Sequence, residues 1–174
     1  MKDKGYLQSL LAYNAWAYGE LYTVVRAMPA AEVVKERPTP LKSILVSLNH
    51  LVVVDRIWLA HMEGRKHGFD NLRTVLHEDI DALWQARRDT DKTLQDYAAG
   101  LGEDDLEEIV EYELISGNKG ELSRAMILTH LVTHGNYHRG WIVDMLGQAG
   151  VQQPQMDLPV YERKTRENRP VPLP

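Results

Sequence analysis

The chain has 174 residues, 44% hydrophobic and 26% charged, which is one ordinary domain's length with enough apolar side chain to form a core unaided. Net charge is −5 with the signs interspersed, which argues against a nucleic-acid partner, since such proteins usually present a basic stripe. There is no cysteine, so a disulfide scaffold, a thiolate zinc site and a cysteine nucleophile are all excluded within this chain, and a reducing compartment is the better fit.

The first lysines and the apolar residues after them have the outline of a signal peptide. Gln8, Ser9, Asn14 and Glu20 interrupt that outline. Leu7, Leu10, Leu11, Asn14, Ala17, Leu21, Val24 and Met28 instead keep a three-four spacing, which predicts an amphipathic helix over about residues 3 to 28. Pro29 and the stretch RPTP end it. A second helix is expected over about 41 to 63 and is apolar almost all round, the mark of a central buried helix. Its greasiest run, ILVSLNHLVVV, contains Asn49 and His50 and is too short and too polar to span a membrane.

A third helix is expected over roughly 72 to 99, with Ile80, Leu83, Trp84, Leu94 and Tyr97 on one face and charge on the other. The period then changes: LEEIVEYELISGNKGEL alternates in part and ends in Ser-Gly-Asn-Lys-Gly, which suggests a short hairpin or irregular crossover. A fourth helix is expected over about 121 to 146. The remainder is proline-rich and charged and reads as an extended tail, wrapped on the bundle or disordered. There is no internal repeat. The expected architecture is therefore an all-α four-helix bundle over residues 1–150 with a C-terminal tail over 151–174, in a soluble cytoplasmic protein.

The chemistry concentrates in HLVTHGNYHRGW on the fourth helix, where His130, His134 and His138 stand four apart among only seven histidines. Residues four apart lie one above the other about 6 Å along the axis, so two can bind one metal ion but three in a row cannot. A helical wheel places His138 about 30–40° from the centre of the apolar face, His134 nearer its edge and His130 more than about 100° away, at the rim. Taken alone, the inward pair reads equally as ligands or as satisfied core residues. His50 tips the balance, because a histidine inside the most apolar helix needs a partner, and an unsatisfied buried imidazole costs about 1–3 kcal/mol. His50, His134 and His138 converging from two helices make a three-histidine site with an open position, the pattern of a catalytic rather than a structural metal. A di-iron bundle is excluded, since it needs Glu-x-x-His pairs and the chain has none. His61, about three turns from His50, is too far to share its ion; it reads with His67 and His77 as a surface or helix-end residue.

These residues resemble a known family. LNHLVVVDRIWL, then LTHLVTHGNYHRGWIVDMLGQAGV and DLP, are similar to the DinB family of metal-binding four-helix bundles, and YNAWAYGEL resembles that family's first helix. The resemblance implies an up-down-down-up bundle in which His50, His134 and His138 hold one divalent ion, with nickel, zinc, iron and manganese all compatible. It implies a structural or supporting role for Arg139. It also implies a metal-dependent enzyme of the thiol-transferase type, acting on a small-molecule substrate with an external low-molecular-weight thiol. The neighbouring readings are a metal-dependent hydrolase and a non-enzymatic, stress-related metal-binding protein. A homodimer is allowed. No catalytic acid or base can be assigned from sequence; Asn14, Trp16 and Tyr137 lie near the expected metal face, with packing as their ordinary role. Asp55 sits about 140° around its helix from His50, so a surface or interhelix role is expected for it.

Overall fold

A computed structural model describes residues 3–167. Four long helices dominate: α1 (Lys4–Arg26), α3 (Ile44–Met62), α4 (Ile80–Gly100) and α6 (Arg124–Gln148). Two single-turn helices, α2 (Ala30–Val34) and α5 (Glu103–Glu107), sit in the connections, and α7 (Leu158–Glu167) follows the bundle. The expected hairpin is present. Strands β1 (Ile109–Glu113) and β2 (Lys119–Ser123) pair antiparallel, with Glu111 opposite Glu121 and Tyr112 opposite Gly120.

Each long helix begins at a side-chain cap. Asp3, Ser43, Asp79 and Ser123 accept hydrogen bonds from the first-turn amides of α1, α3, α4 and α6 respectively, satisfying donors that helix geometry leaves free. The Asp79 cap explains why α4 starts at Ile80 rather than near 72 as expected: residues 72–79 form a loop that lies over α3. In α3 only Val46, Arg56 and His61 escape burial. By length and apolarity alone this helix could cross a membrane, but 83% of it is buried inside the protein, as befits a core helix.

The apolar core has two halves. One joins Leu7 and Leu11 of α1, Trp58 and Leu59 of α3, Leu94 of α4 and Leu128 and Leu131 of α6. The other joins Leu21 and Val25, Leu48 and Leu51, Leu83, and Ile142 and Met145 of the same helices. Between these sets along α1, α4 and α6 lie buried polar residues: Asn14, Arg87, Asp91 and Arg139. Arg139 donates to Asn14 Oδ1 at 2.5 Å, and the Arg87 and Arg139 guanidinium groups lie 4.5 and 4.8 Å from the Tyr18 ring. The structure gives Asp55 an interhelix role, fully buried and accepting from Arg87 at 2.7 Å. It is not at the surface, because both sides of this central helix are covered.

Gly135 is what lets α1 and α6 approach at this layer. A Cβ there would lie 2.7 Å from the Tyr18 hydroxyl, 2.9 Å from Asn14 Oδ1 and 3.1 Å from Arg139 Nη1. Helix propensity favours alanine over glycine by about 1 kcal/mol, but overpacking a rigid polar core costs about 1–3 kcal/mol, so the clash decides. Gly135→Ala is expected to lower the melting temperature, whereas Gly140→Ala, which meets nothing within 4 Å, should raise it slightly. A thermal melt of the two variants checks both signs.

The segment after residue 150 differs from the extended tail expected. Residues 158–167 form α7, whose Tyr161 ring lies 5.8 Å from Tyr13 and 5.4 Å from Trp16, while Lys164 donates to Glu20 at 2.9 Å. Packing on α1 supplies what Pro154, Pro159 and the charged composition withhold locally. Residues 168–174 of the expected tail lie outside the described residues.

Candidate metal centre

α3 and α6 bring His50, His134 and His138 together. One nitrogen from each lies within 4.8 Å of the other two. The ring centroids are 5.3 Å apart for His50–His134, 4.6 Å for His50–His138 and 4.4 Å for His134–His138. His50 and His138 are buried, and His134 is half-buried. The pair on α6 meets because positions four apart stack on one helix face, and His50 reaches them from the facing helix.

The hydrogen bonding suits a metal. His50 Nδ1 lies 2.8 Å from the Leu72 carbonyl. A carbonyl can only accept, so Nδ1 carries the proton and Nε2 is left with its lone pair. That Nε2 is buried without a partner, as are Nδ1 of His134 and Nδ1 of His138. Three buried, unpartnered imidazole nitrogens on one cluster are costly unless something binds them, and neutral imidazole is a fitting donor for a divalent transition ion. The Leu72 carbonyl is the kind of outer partner that fixes the ring of a ligating histidine.

Electrostatics keep the three rings neutral. Burial, then the neighbouring His138, His50 and His130, push His134 down to about 3, and burial with His50 pushes His138 down to about 4. His50 is lowered by burial as well. These groups bind protons less readily folded than unfolded, where the ordinary value is about 6.5. Stability of the metal-free protein is therefore unaffected by them above about pH 6.5, and is lost as pH falls below it, because only the unfolded chain takes up the protons. Denaturant unfolding at pH 7 and pH 5 should show this loss, and His134→Gln should make the pH dependence shallower.

The other candidates are placed elsewhere. His130 stands beside the triad, 5.4 Å from the His134 ring and 5.2 Å from Trp58. Tyr137 is exposed at the surface but 5.2 Å from the His138 ring, which Trp141 also approaches at 4.7 Å. Asn14 is engaged with Arg139, and Trp16 packs with Tyr13 and Tyr161, the hydrogen-bonding and packing roles that are ordinary for them. His61 and His67 are half-buried partners 5.4 Å apart, at a cleft of about 1130 Å³ between the 64–70 loop and the hairpin. Trp141 and the Leu72 carbonyl were not legible as parts of the site. An aromatic three residues after His138 is a usable signal for the first; a backbone carbonyl offers none.

Known proteins resemble this chain in sequence and fold. A chain from Bacillus subtilis (strain 168), Protein DinB, is 23% identical over 173 residues, covering 92% of this chain and 95% of that one. The crystal structure of a DinB-like protein from Bacillus cereus ATCC 10987 shares the fold with a TM-score of 0.65 at 19% identity, covering 87% of this chain and 95% of that chain. The DinB family profile matches residues 1–170. With helices, hairpin and histidine cluster all inside that match, the chain belongs to the DinB family.

Proposed function

We propose that this protein is a metal-dependent enzyme of the thiol-transferase type, with one divalent ion held by His50, His134 and His138. The observation that carries the reading is that one imidazole nitrogen from each of His50, His134 and His138, offered from two helices, lies within 4.8 Å of the other two. Three protein donors leave a coordination position for an exogenous group, as in catalytic rather than structural sites. The ion, whether nickel, zinc, iron or manganese, would supply Lewis acidity that lowers the pKa of a thiol or water. The chain's own residues hold it: the Leu72 carbonyl fixes the His50 ring, and burial keeps all three donors deprotonated. With no cysteine in the chain, the thiol is external and of low molecular weight, and it attacks a small electrophilic substrate.

The bundle is read as up-down-down-up. Early residues of α1 and α6 share one core half with late residues of α3 and α4, which supports that order. A cytoplasmic, homodimeric protein fits the same reading. A second reading, a non-enzymatic metal protein, is favoured by the burial of His50 and His138, at 6% and 7% exposure.

The test is thiol consumption. Protein reconstituted with each of the four metals is offered small thiols and an alkylating electrophile, and loss of free thiol is followed. Rate enhancement that disappears in His134→Ala supports the enzyme. Stoichiometric metal without any enhancement supports the second reading.

A further inference from the structure

Asn49 precedes His50 and is fully buried in α3. A bare amide there has two N–H donors and two acceptor lone pairs to satisfy. All four are satisfied, and three of them by one loop. Nδ2 donates to the Leu45 carbonyl at 3.0 Å, a bond within its own helix. It also donates to the His77 carbonyl at 3.0 Å. Oδ1 accepts from the Leu76 amide at 2.7 Å and the His77 amide at 3.1 Å.

The same loop supplies the carbonyl of Leu72, which takes the His50 Nδ1 proton. Just before the first anchor point Asn71 braces the loop: its Oδ1 accepts from the Arg73 amide at 2.8 Å and its carbonyl accepts from the Thr74 hydroxyl at 2.7 Å. Two consecutive residues of α3 thus grip one segment at both ends. Consecutive helical side chains point about 100° apart, so the amide and the imidazole cannot touch the same spot. They can hold the same short loop at points five residues apart. This accounts for a hydrophilic amide inside a largely apolar helix, a placement that simple packing would not favour.

We propose that Asn49 is the positioning residue of the metal centre: by clamping residues 76–77 it holds the Leu72 carbonyl against His50, fixing the tautomer and ring orientation that leave Nε2 free as a donor. The amide acts through the loop and does not itself touch the ion. Outer partners of ligating histidines affect metal affinity by about 10–100-fold, and Asn49 governs such a partner.

The inference rests on the metal reading for one of its readouts only. In metal-free protein, ¹⁵N shifts of the His50 ring should report a protonated Nδ1 in the wild type and a mixed or reversed tautomer in Asn49→Ala. In the same pair, titration with Co²⁺ should show affinity lowered about 10–100-fold and altered visible bands. Ser47→Ala is the control: Ser47 is a buried polar residue of the same helix that bonds the Ser43 carbonyl and not the loop, so both readouts should stay at wild-type values.

An Asn49→Ala protein with the wild-type tautomer and cobalt affinity overturns the inference. Should the wild type bind no cobalt, the metal reading fails, and the tautomer still decides the role of Asn49. Should Asn49→Ala not fold, hydrogen exchange in the wild type decides: the Leu76 and His77 amides should be protected together, and exchange at open-loop rates would overturn the clamp.

Discussion

His50→Ala and His138→Ala are each expected to remove metal-dependent stabilisation, while His130→Ala keeps it. A ligand that binds only the folded state stabilises by RT ln(1 + [L]/Kd), about 4 kcal/mol at a thousandfold excess over Kd. For a chain of this size that raises the melting temperature by roughly 8–16 °C. Deleting one of three histidines leaves two donors, and the shift should vanish at the same metal concentration. His130 lies beside His134 but is outside the group whose nitrogens lie within 4.8 Å of one another. Its loss removes packing on Trp58, which should lower stability with and without metal by the same amount. Melts of the wild type and three variants, with and without Zn²⁺ or Ni²⁺, give the answer. An equal loss of the metal shift in His130→Ala would displace His134 or His138 from the site.

The convergence of His134 and His138 on His50 was legible in the sequence because two independent constraints agree. Helical spacing limits one ion to two of the three, and the apolar wheel selects the two that face α3. His50 stood out because it sits in the middle of the most apolar helix of the chain. The four long helices and the hairpin were legible for similar reasons, through period and turn chemistry. What escaped depends on contacts between distant segments. The loop over 72–79 contains Leu72, Val75 and Leu76 at helix-like spacing, yet Asp79 caps a helix that begins at Ile80, and Asn49 and His50 supply the loop's hydrogen bonds instead. α7 has a polar composition, with Pro154 before it and Pro159 in its first turn, and contacts with Tyr13, Trp16 and Glu20 of α1 hold it to the bundle. Asp55 was placed correctly by angle as facing away from His50, but no angle reveals that Arg87 waits on that side.

Arg87→Met should be among the most destabilising single substitutions in the chain. Arg87 and Asp55 are fully buried, and the guanidinium also pairs with Asp91 at 2.8 Å. Taking one member from a buried ionic group leaves an uncompensated charge and costs about 3–5 kcal/mol, here roughly 6–20 °C in melting temperature. The surface pair Lys92–Asp96 should contribute less than about 1 kcal/mol. Burial pushes the Asp55 carboxyl up and Arg87 opposes that push, so in Arg87→Met the carboxyl rises further above its unfolded value. The folded variant then takes up a proton before the unfolded chain does, and part of the lost stability returns as pH falls. Denaturant melts at pH 8 and pH 5.5 should show the gap between wild type and Arg87→Met narrowing at the lower pH. The combined variant Arg87→Met with Asp55→Leu and Asp91→Leu should recover much of the loss, because it removes the charges rather than orphaning them. Stability of Arg87→Met within 1 kcal/mol of wild type at pH 8 would mean that water or Arg139 already compensates Asp55, and that the polar layer between the two apolar halves is held by Arg139 and Asn14 instead.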